Sequence, residues 1–531
     1  MDPVCRTSRS RCDRIGSYGG AVNETKGSAD MSEIQNAGKD RGPAGTGSGT
    51  PRAAESLAAL VAGPVHAPGS EGYETARTGM QLLDRHLPVA VVEAQDAGDV
   101  RAAVAWAAGR GLRVAAQLTG HGLGSGLGGG EAVAGDGEGG TERRQEGAAG
   151  AGGDRPPAGV LIATGRLRGV RVDPGRATAW VGAGSTWQDV IDAAAPYGLA
   201  PLSGSAPGVG AVSYTLGGGV GLLARRYGFA ADHVARLDMV TADGRLREVT
   251  EEAEPELFWA VRGGGGAFGV VTGMEIGLFP VARLYGGSLY FDATAEPGVL
   301  DAWRRWAETT PEELTSGASM LAYPDFPGVP EAMRNRLVVQ VSVAWSGPPE
   351  EGTALVEPLR SAGPVLADTL GELPYADSGS VFDEHDDPAG YRGRSVLVDG
   401  LDAESLGALT RLVGTAPSMC VIWLRHLGGA LAREPGSANA VGHRDAAYAL
   451  TVLTFADGED TGASEALRER AAGLVSDRAV GRSSTLGFGP MDGAAVREVF
   501  DPGAYARLTR VKAAFDPDGV FHSNRPIPPR G

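Results

Sequence analysis

Over residues 1–66 the apolar positions are scattered among Gly, Ser, Ala, Asp and Arg without a sustained period, which predicts a disordered tail. Met31 lies inside it as an alternative start. Order is expected from near Leu87. PVAVVEAQ at 88–95 reads as a strand. DAGDVRAAVAWAAGRG then has helical spacing, with Val100, Val104, Ala105 and Ala108 on one face. GLRVAAQL at 111–118 is the next strand, so the pattern opens as βαβ. A glycine-rich turn, TGHGLGSGLGGG, occupies 119–130, and residues 131–157 are a polar, low-complexity insertion. Strands resume with GVLIAT at 159–164, then GVRVDP and TAWVGAG; WQDVIDAAAPYG at 187–198 is a helix stopped by glycine.

From about 282 the texture changes. Glycine blocks disappear, and helical stretches alternate with strands such as RLVVQVSVAW at 336–345 and AYALTVLTF at 447–455. A helix and a proline-rich tail close the chain from Phe500. The expected division is a tail (1–66), a first domain (67–281), a second of α+β character (282–499) and a C-terminal segment (500–531).

Charge and composition narrow the function. Lys+Arg number 48 and Asp+Glu 65, a formal net charge of −17, which repels phosphate backbones and argues against nucleic-acid binding. Cys5, Cys12 and Cys420 make no disulfide framework, and no apolar run is long enough for a membrane span. The expected location is cytoplasmic. No Cys/His spacing suggests a metal, and no phosphate loop of the G-x-x-x-x-G-K-[ST] kind is present.

Glycine stands out, with 83 residues. Many fall in three blocks on strand-to-turn connections: 119–130, 203–221 and 262–269. Glycine there lets backbone N–H groups approach an anionic or flat ligand. A dinucleotide offers both, as a pyrophosphate and a planar ring. The usual nicotinamide fingerprint fits poorly, because the run Gly217-Gly218-Gly219-Val220-Gly221 does not follow the opening strand.

The ordered set of stretches at 88–122, 169–244, 254–272 (EPELFWAVRGGGGAFGVVT) and 505–529 (YARLTRVKAAFDPDGVFHSNRPIPP) resembles FAD-linked oxidases of the vanillyl-alcohol oxidase, PCMH-type fold. Within that fold it resembles the berberine bridge enzyme-like group, near the bacterial 6-hydroxynicotine oxidases. The resemblance spans roughly residues 67–529, less the insertion. It implies an α+β fold class: a PCMH-type FAD-binding domain with a second α+β substrate domain, an antiparallel sheet with helices.

For the cofactor, the resemblance implies that Thr119, Gly120, His121 and Gly122 hold FAD, with His121 bonded to the flavin 8α-methyl. Ala206, in Gly204-Ser205-Ala206-Pro207, stands where many relatives carry a cysteine bonded to flavin C6, so a second bond is not expected. Gly204 is expected to bind the cofactor, and Gly208, Val209, Gly210, Gly217, Gly218, Gly219 and Gly221 are expected along the ribityl and pyrophosphate. Gly269, Val270 and Val271 are expected at the adenine end, and Asn524 near the flavin; Gly519 stands where asparagine is common. Arg262 and Trp259 are expected to be structural, through a capping ion pair and core packing.

The second domain is expected to roof the substrate pocket. Ala449 and Thr451 match the positions of a polar pair in plant members, and Thr485 and Gly487 those of a tyrosine and an asparagine. None is a useful base. Tyr391, His426 and Tyr448 are the remaining catalytic candidates, with Tyr290 and Tyr323 behind them. The expected activity is hydride transfer from an alcohol or amine C–H of a small molecule to flavin N5, with O2 as acceptor. The alternatives are a dehydrogenase with a carrier acceptor and a flavin-binding protein without turnover.

Overall fold

The computed structural model describes residues 50–128, 158–384, 386–456 and 461–529. The expected insertion at 131–157 lies outside them. Three sheets organise the chain. The first has four strands in the order β1 (Val65–His66), β2 (Ala90–Glu93), β4 (Gly159–Ala163), β3 (Arg113–Gln117). Both β2 and β3 run parallel to β4, and β1 is antiparallel to β2. The second is antiparallel, in the order β5 (Val170–Asp173), β6 (Thr178–Gly182), β9 (Val270–Gly277), β7 (Val234–Val240), β8 (Leu246–Val249).

The helix Ala97–Ala108 packs between these two sheets. Asp96 caps its first turn by accepting from the Asp99 N–H. Its buried stripe is Val100, Ala103, Val104 and Ala107, whereas Ala105 faces solvent. The expected face was thus turned by about one position, because Trp106 is also drawn inward and its Nε1 donates to the Ser56 hydroxyl at 3.1 Å.

That contact also corrects the reading of the tail. Residues from Thr50 are ordered: the helix Thr50–Ala58 buries Ala54 and Leu57 against the same core, and Tyr73–Arg77 forms another short helix before Leu87. Two apolar anchors one turn apart are too few to make a sustained period, yet enough to dock one short helix.

The third sheet is antiparallel and nine-stranded. Its path runs β13 (Val365–Asp368), β10 (Arg283–Asp292), β12 (Leu337–Trp345), β11 (Leu314–Ala322), β16 (Cys420–His426), β17 (Tyr448–Phe455), β15 (Tyr391–Val398), β18 (Ala479–Gly481), with β14 (Gly371–Pro374) also on β10. Helices including Val299–Ala307 and Ala403–Gly414 cover one face, burying Trp303, Leu409 and Ile422 in a second core. Residues of opposite parity on β16 and β17 face the other way, as a pleated strand requires.

The last helix, Pro502–Phe515, packs on Pro255–Gly264 and returns the tail to the first sheet. There Val114 N–H donates to the Val520 carbonyl and His522 N–H to that of Val114, each at 2.8 Å. A buried Lys512–Asp516 ion pair fixes this return; Asp516 also accepts from the Val520 and Phe521 N–H groups. Among the described residues no helix is long and apolar enough to cross a membrane.

Candidate functional site

A cavity of about 380 Å³ lies between the large sheet and the two smaller ones. Its floor begins with the loop after β3. Thr119, Gly120, His121 and Gly122 all line it. The Thr119 carbonyl accepts from the Met80 N–H at 2.8 Å, and Gly120 (φ 68°) lies so close to Gly79 that an added Cβ would sit 3.0 Å from the Gly79 Cα. Glycine is therefore needed at 120 both for its backbone angle and for space. The Nδ1 of His121 lies 2.7 Å from the Thr119 hydroxyl, and burial pushes the imidazole down to about 4, so it is neutral at pH 7.

From the second glycine block, Gly204, Ala206, Val209 and Gly217 line the cavity. Gly208, Gly210, Gly218, Gly219 and Gly221 do not. Several serve contacts inside the protein. A Cβ on Gly221 would stand 1.9 Å from the Ser203 carbonyl oxygen, one on Gly219 2.5 Å from the Tyr214 ring, and one on Gly210 2.9 Å from Leu118. The third block supplies Gly265, Gly266, Gly269, Val270 and Val271. Arg262 beside it is fully buried, but its guanidinium donates to the carbonyls of Phe258, Ala231, Ser437 and Ala438 and to the Ser437 hydroxyl. It is a bridge between carbonyls and not the expected ion pair, because the groups within its reach are backbone carbonyls and the Ser437 hydroxyl. Trp259 is buried, as expected, with Arg507 stacked 4.0 Å from its ring.

The opposite side is made of side chains. Tyr391, Trp423, Arg425, Leu453 and Phe455 project from β15, β16 and β17, joined by Thr485 and Phe488. Trp423 meets Phe488 edge-on at 5.9 Å, and Phe488 meets Tyr391 at 6.2 Å. The Tyr391 hydroxyl donates to the His121 carbonyl at 2.7 Å; burial raises its pKa, so it remains a donor. Arg425 reaches Glu384 at 2.9 Å and Ser205 at 2.7 Å, and Ser205 donates to the same carboxylate oxygen, Oε1. Glu384 Oε2 receives no hydrogen bond among the described residues.

The other catalytic candidates lie elsewhere. His426 stacks on Tyr448 at 5.4 Å, and Tyr448 packs on Trp303 in the helix-covered core. Tyr290 sits in a separate cluster beside Tyr323. On β17, Ala449 is packed with Leu486, and the Thr451 hydroxyl donates to the Leu486 carbonyl at 3.4 Å, so the cavity sees Leu453 and Phe455 instead. Thr485 binds the Gly217 carbonyl at 2.8 Å. Glu384, Arg425 and Arg525 were not anticipated: Glu384 and Arg425 are far apart in sequence, and no local spacing announces their pairing.

Whether the cavity fits FAD is tested by its unpaired polar atoms. Gln117, Tyr214 and Arg525 line the cavity, and their Oε1, OH and Nε atoms are buried with no hydrogen-bond partner among the described residues. Buried polar groups are normally paired, so these three call for a ligand rich in oxygen and nitrogen. Arg525 lies along Gly265, where a Cβ would come within 2.7 Å of its guanidinium, and gives the site a positive charge. Asn524 ties the tail to the first loop, donating to the Gly122 carbonyl at 2.6 Å and accepting from the Gly124 N–H at 3.2 Å. Glycine-lined backbone, a buried cation and open acceptor and donor positions fit FAD.

Two stretches match known families: residues 145–250 the one described as FAD binding domain, and 486–528 the one described as berberine and berberine like. His121 lies outside both. The chain is 30% identical over 399 residues to (R)-6-hydroxynicotine oxidase of Paenarthrobacter nicotinovorans, covering 70% of this chain and 82% of that one. It is 28% identical over 391 residues to an FAD-linked oxidoreductase of Bacillus subtilis (strain 168), with the same shares covered. Among solved structures, 6-hydroxy-D-nicotine oxidase from Arthrobacter nicotinovorans superposes with a TM-score of 0.71 at 22% identity, over 88% of this chain and 98% of that one. A chitooligosaccharide oxidase superposes with a TM-score of 0.72 at 19% identity, over 90% and 100%.

Proposed function

The chain belongs to the berberine bridge enzyme-like family of FAD-linked oxidoreductases, and we propose that it oxidises a small molecule at an alcohol or amine carbon with FAD held by one covalent bond, to His121. The observation that carries this reading is one cavity, lined by His121 and by glycine-rich backbone, whose lining residues Gln117, Tyr214 and Arg525 each hold a buried polar atom without a partner among the described residues. Ala206 supports a single bond: it presents only a methyl group to the cavity, and Cys420 is buried away in the second core. Residues 67–281 and 500–531 are assigned to the cofactor, and 282–499 to the substrate side.

FAD supplies the hydride acceptor when bound. The chain supplies placement and proton handling. Gln117, Tyr214 and Arg525 offer hydrogen bonds and charge to the cofactor, while Thr119, Gly120, Gly122 and Asn524 shape the loop that carries His121. Tyr391, Trp423, Phe455 and Phe488 present an apolar aromatic face to the substrate. Glu384 is the carboxylate placed to take the substrate's O–H or N–H proton: Oε1 is held by Ser205 and Arg425, and Oε2 receives no hydrogen bond among the described residues. The relatives' names span a nicotine derivative and oligosaccharides, which supports a small polar substrate with a ring. Dioxygen is the proposed acceptor. The cytoplasm is the proposed compartment, on cysteine usage alone.

Acid precipitation of the purified protein tests the attachment. The expected result is flavin that stays with the pellet in the wild type and is released from His121→Ala. Flavin retained by His121→Ala would overturn the assignment. Hydrogen peroxide released across an amine and alcohol panel tests the acceptor.

A further inference from the structure

The two ring nitrogens of His121 are in different situations. Nδ1 lies 2.7 Å from the Thr119 hydroxyl, whereas Nε2 has no hydrogen-bond partner among the described residues. The backbone around the ring is also fixed. The Thr119 carbonyl is held by the Met80 N–H, the His121 carbonyl by the Tyr391 hydroxyl, and Gly120 between them is wedged against Gly79. A ring anchored this way has little freedom to turn over and exchange its nitrogens.

We propose that Thr119 is a positioning residue for cofactor attachment: by occupying Nδ1 of His121 it presents Nε2 as the nitrogen that bonds the flavin methyl group. This rests on the covalent reading above. At neutral pH the buried ring carries one proton, so one nitrogen keeps its lone pair. With the proton on Nδ1, the Thr119 hydroxyl accepts it and the Nε2 lone pair is the nucleophile.

In the attachment step, Nε2 bonds the methyl carbon, that carbon gives up one proton, and Nδ1 gives up the second. The electron pair left behind reduces the flavin ring by two electrons. Dioxygen then takes the pair and both protons and leaves as hydrogen peroxide. Once the bond has formed, Nδ1 is a bare acceptor, and the same hydroxyl turns to donate to it. A hydroxyl serves both stages, and a methyl group serves neither.

The test uses the full chain from a riboflavin-limited host, incubated with FAD in air. Acid-stable flavin is followed over time, and the linkage in the digested flavin peptide is assigned by NMR. Wild type and Thr119→Ser are expected to give the Nε2 bond alone. Thr119→Val is expected to attach flavin about tenfold more slowly, the effect of one lost hydrogen bond, with part of the product bonded through Nδ1. An Nδ1 bond in the wild-type peptide overturns the proposal without recourse to any variant. Wild-type rate and a pure Nε2 product in Thr119→Val also overturn it, with the covalent reading intact. Wild-type protein that releases all its flavin in acid overturns the covalent reading and this assignment with it.

Discussion

The two walls of the cavity are built by different means. The floor is largely backbone, from the loops at 119–122, 204–209 and 265–271 and the returning tail, and Gln117, Tyr214 and Arg525 in it each hold a buried polar atom unpaired among the described residues. The roof is side chains on one face of a sheet, and its charged groups satisfy one another: Arg425 and Glu384 are paired, with Ser205 closing the set. A buried group left unpaired costs on the order of 1–3 kcal/mol, so the floor gains stability when a ligand pairs these groups. The roof carries no such debt. That is the distinction expected between a wall made for a resident cofactor and one made for substrates that come and go.

The largest expected break is in the tail that closes the floor. Asp516 is fully buried and paired with Lys512, whose own pKa burial pulls down. Asp516→Asn leaves that ammonium unpaired in the interior, at about 3–5 kcal/mol. Thermal unfolding should show a large drop in Tm, and spectra of the purified protein should show lost flavin. A variant with wild-type Tm would mean that the tail is not what closes the floor.

The roof should break differently. Glu384→Gln keeps the shape and hydrogen-bonding capacity of the side chain and removes the basic oxygen. Turnover should fall about a hundredfold or more with flavin content unchanged, while Tm drops by less than in Asp516→Asn because Arg425 keeps its hydrogen bond to Ser205. Unchanged turnover would move the proton-accepting role elsewhere.

Acid should then act on the floor. His86 lines it, accepts at Nδ1 from the Leu127 N–H at 3.0 Å, and is held down to about 4 by burial. The unfolded chain titrates near the ordinary value of 6.5. Above that pH neither state binds the proton, and stability is full. As pH falls from 6.5 toward 4 only the unfolded chain takes it up, so stability declines, by about 2 kcal/mol at pH 5, and levels off below the folded value. His86→Gln, measured by denaturant unfolding at pH 5 and 7, should flatten that slope.

The same contrast explains what could be read from the sequence. Strands such as 88–95, 159–164, 336–345 and 447–455 were legible from their apolar, β-branched runs, and the glycine blocks because glycine marks close approach. Glycine alone does not say what approaches. At Gly266 the missing Cβ makes room on the cavity wall, whereas at Gly265 it makes room for the Arg525 guanidinium and at Gly221 for the Ser203 carbonyl. The roof was illegible for another reason. Arg425 and Glu384 meet across a fold, and the face of β17 that meets the cavity at Leu453 is sealed by Leu486 two residues earlier, at Thr451. Neither pairing nor sealing has a local pattern. His426 and Tyr448 looked chemical by residue type alone, and the large sheet turns them into its helix-covered core.

The finest separation comes from two alanines. Gly221→Ala drives a methyl into a backbone oxygen and should cost about 1–3 kcal/mol or more, seen in Tm whether or not flavin is present. Gly266 lines the cavity, and a Cβ there meets nothing within 4 Å. Gly266→Ala should therefore leave the Tm of flavin-free protein within about 0.5 kcal/mol of wild type, while weakening noncovalent FAD binding in a His121→Ala background. If Gly266→Ala binds FAD as tightly as its parent, the third glycine block belongs with Gly221, as packing, and the floor shrinks to the first loop and the tail.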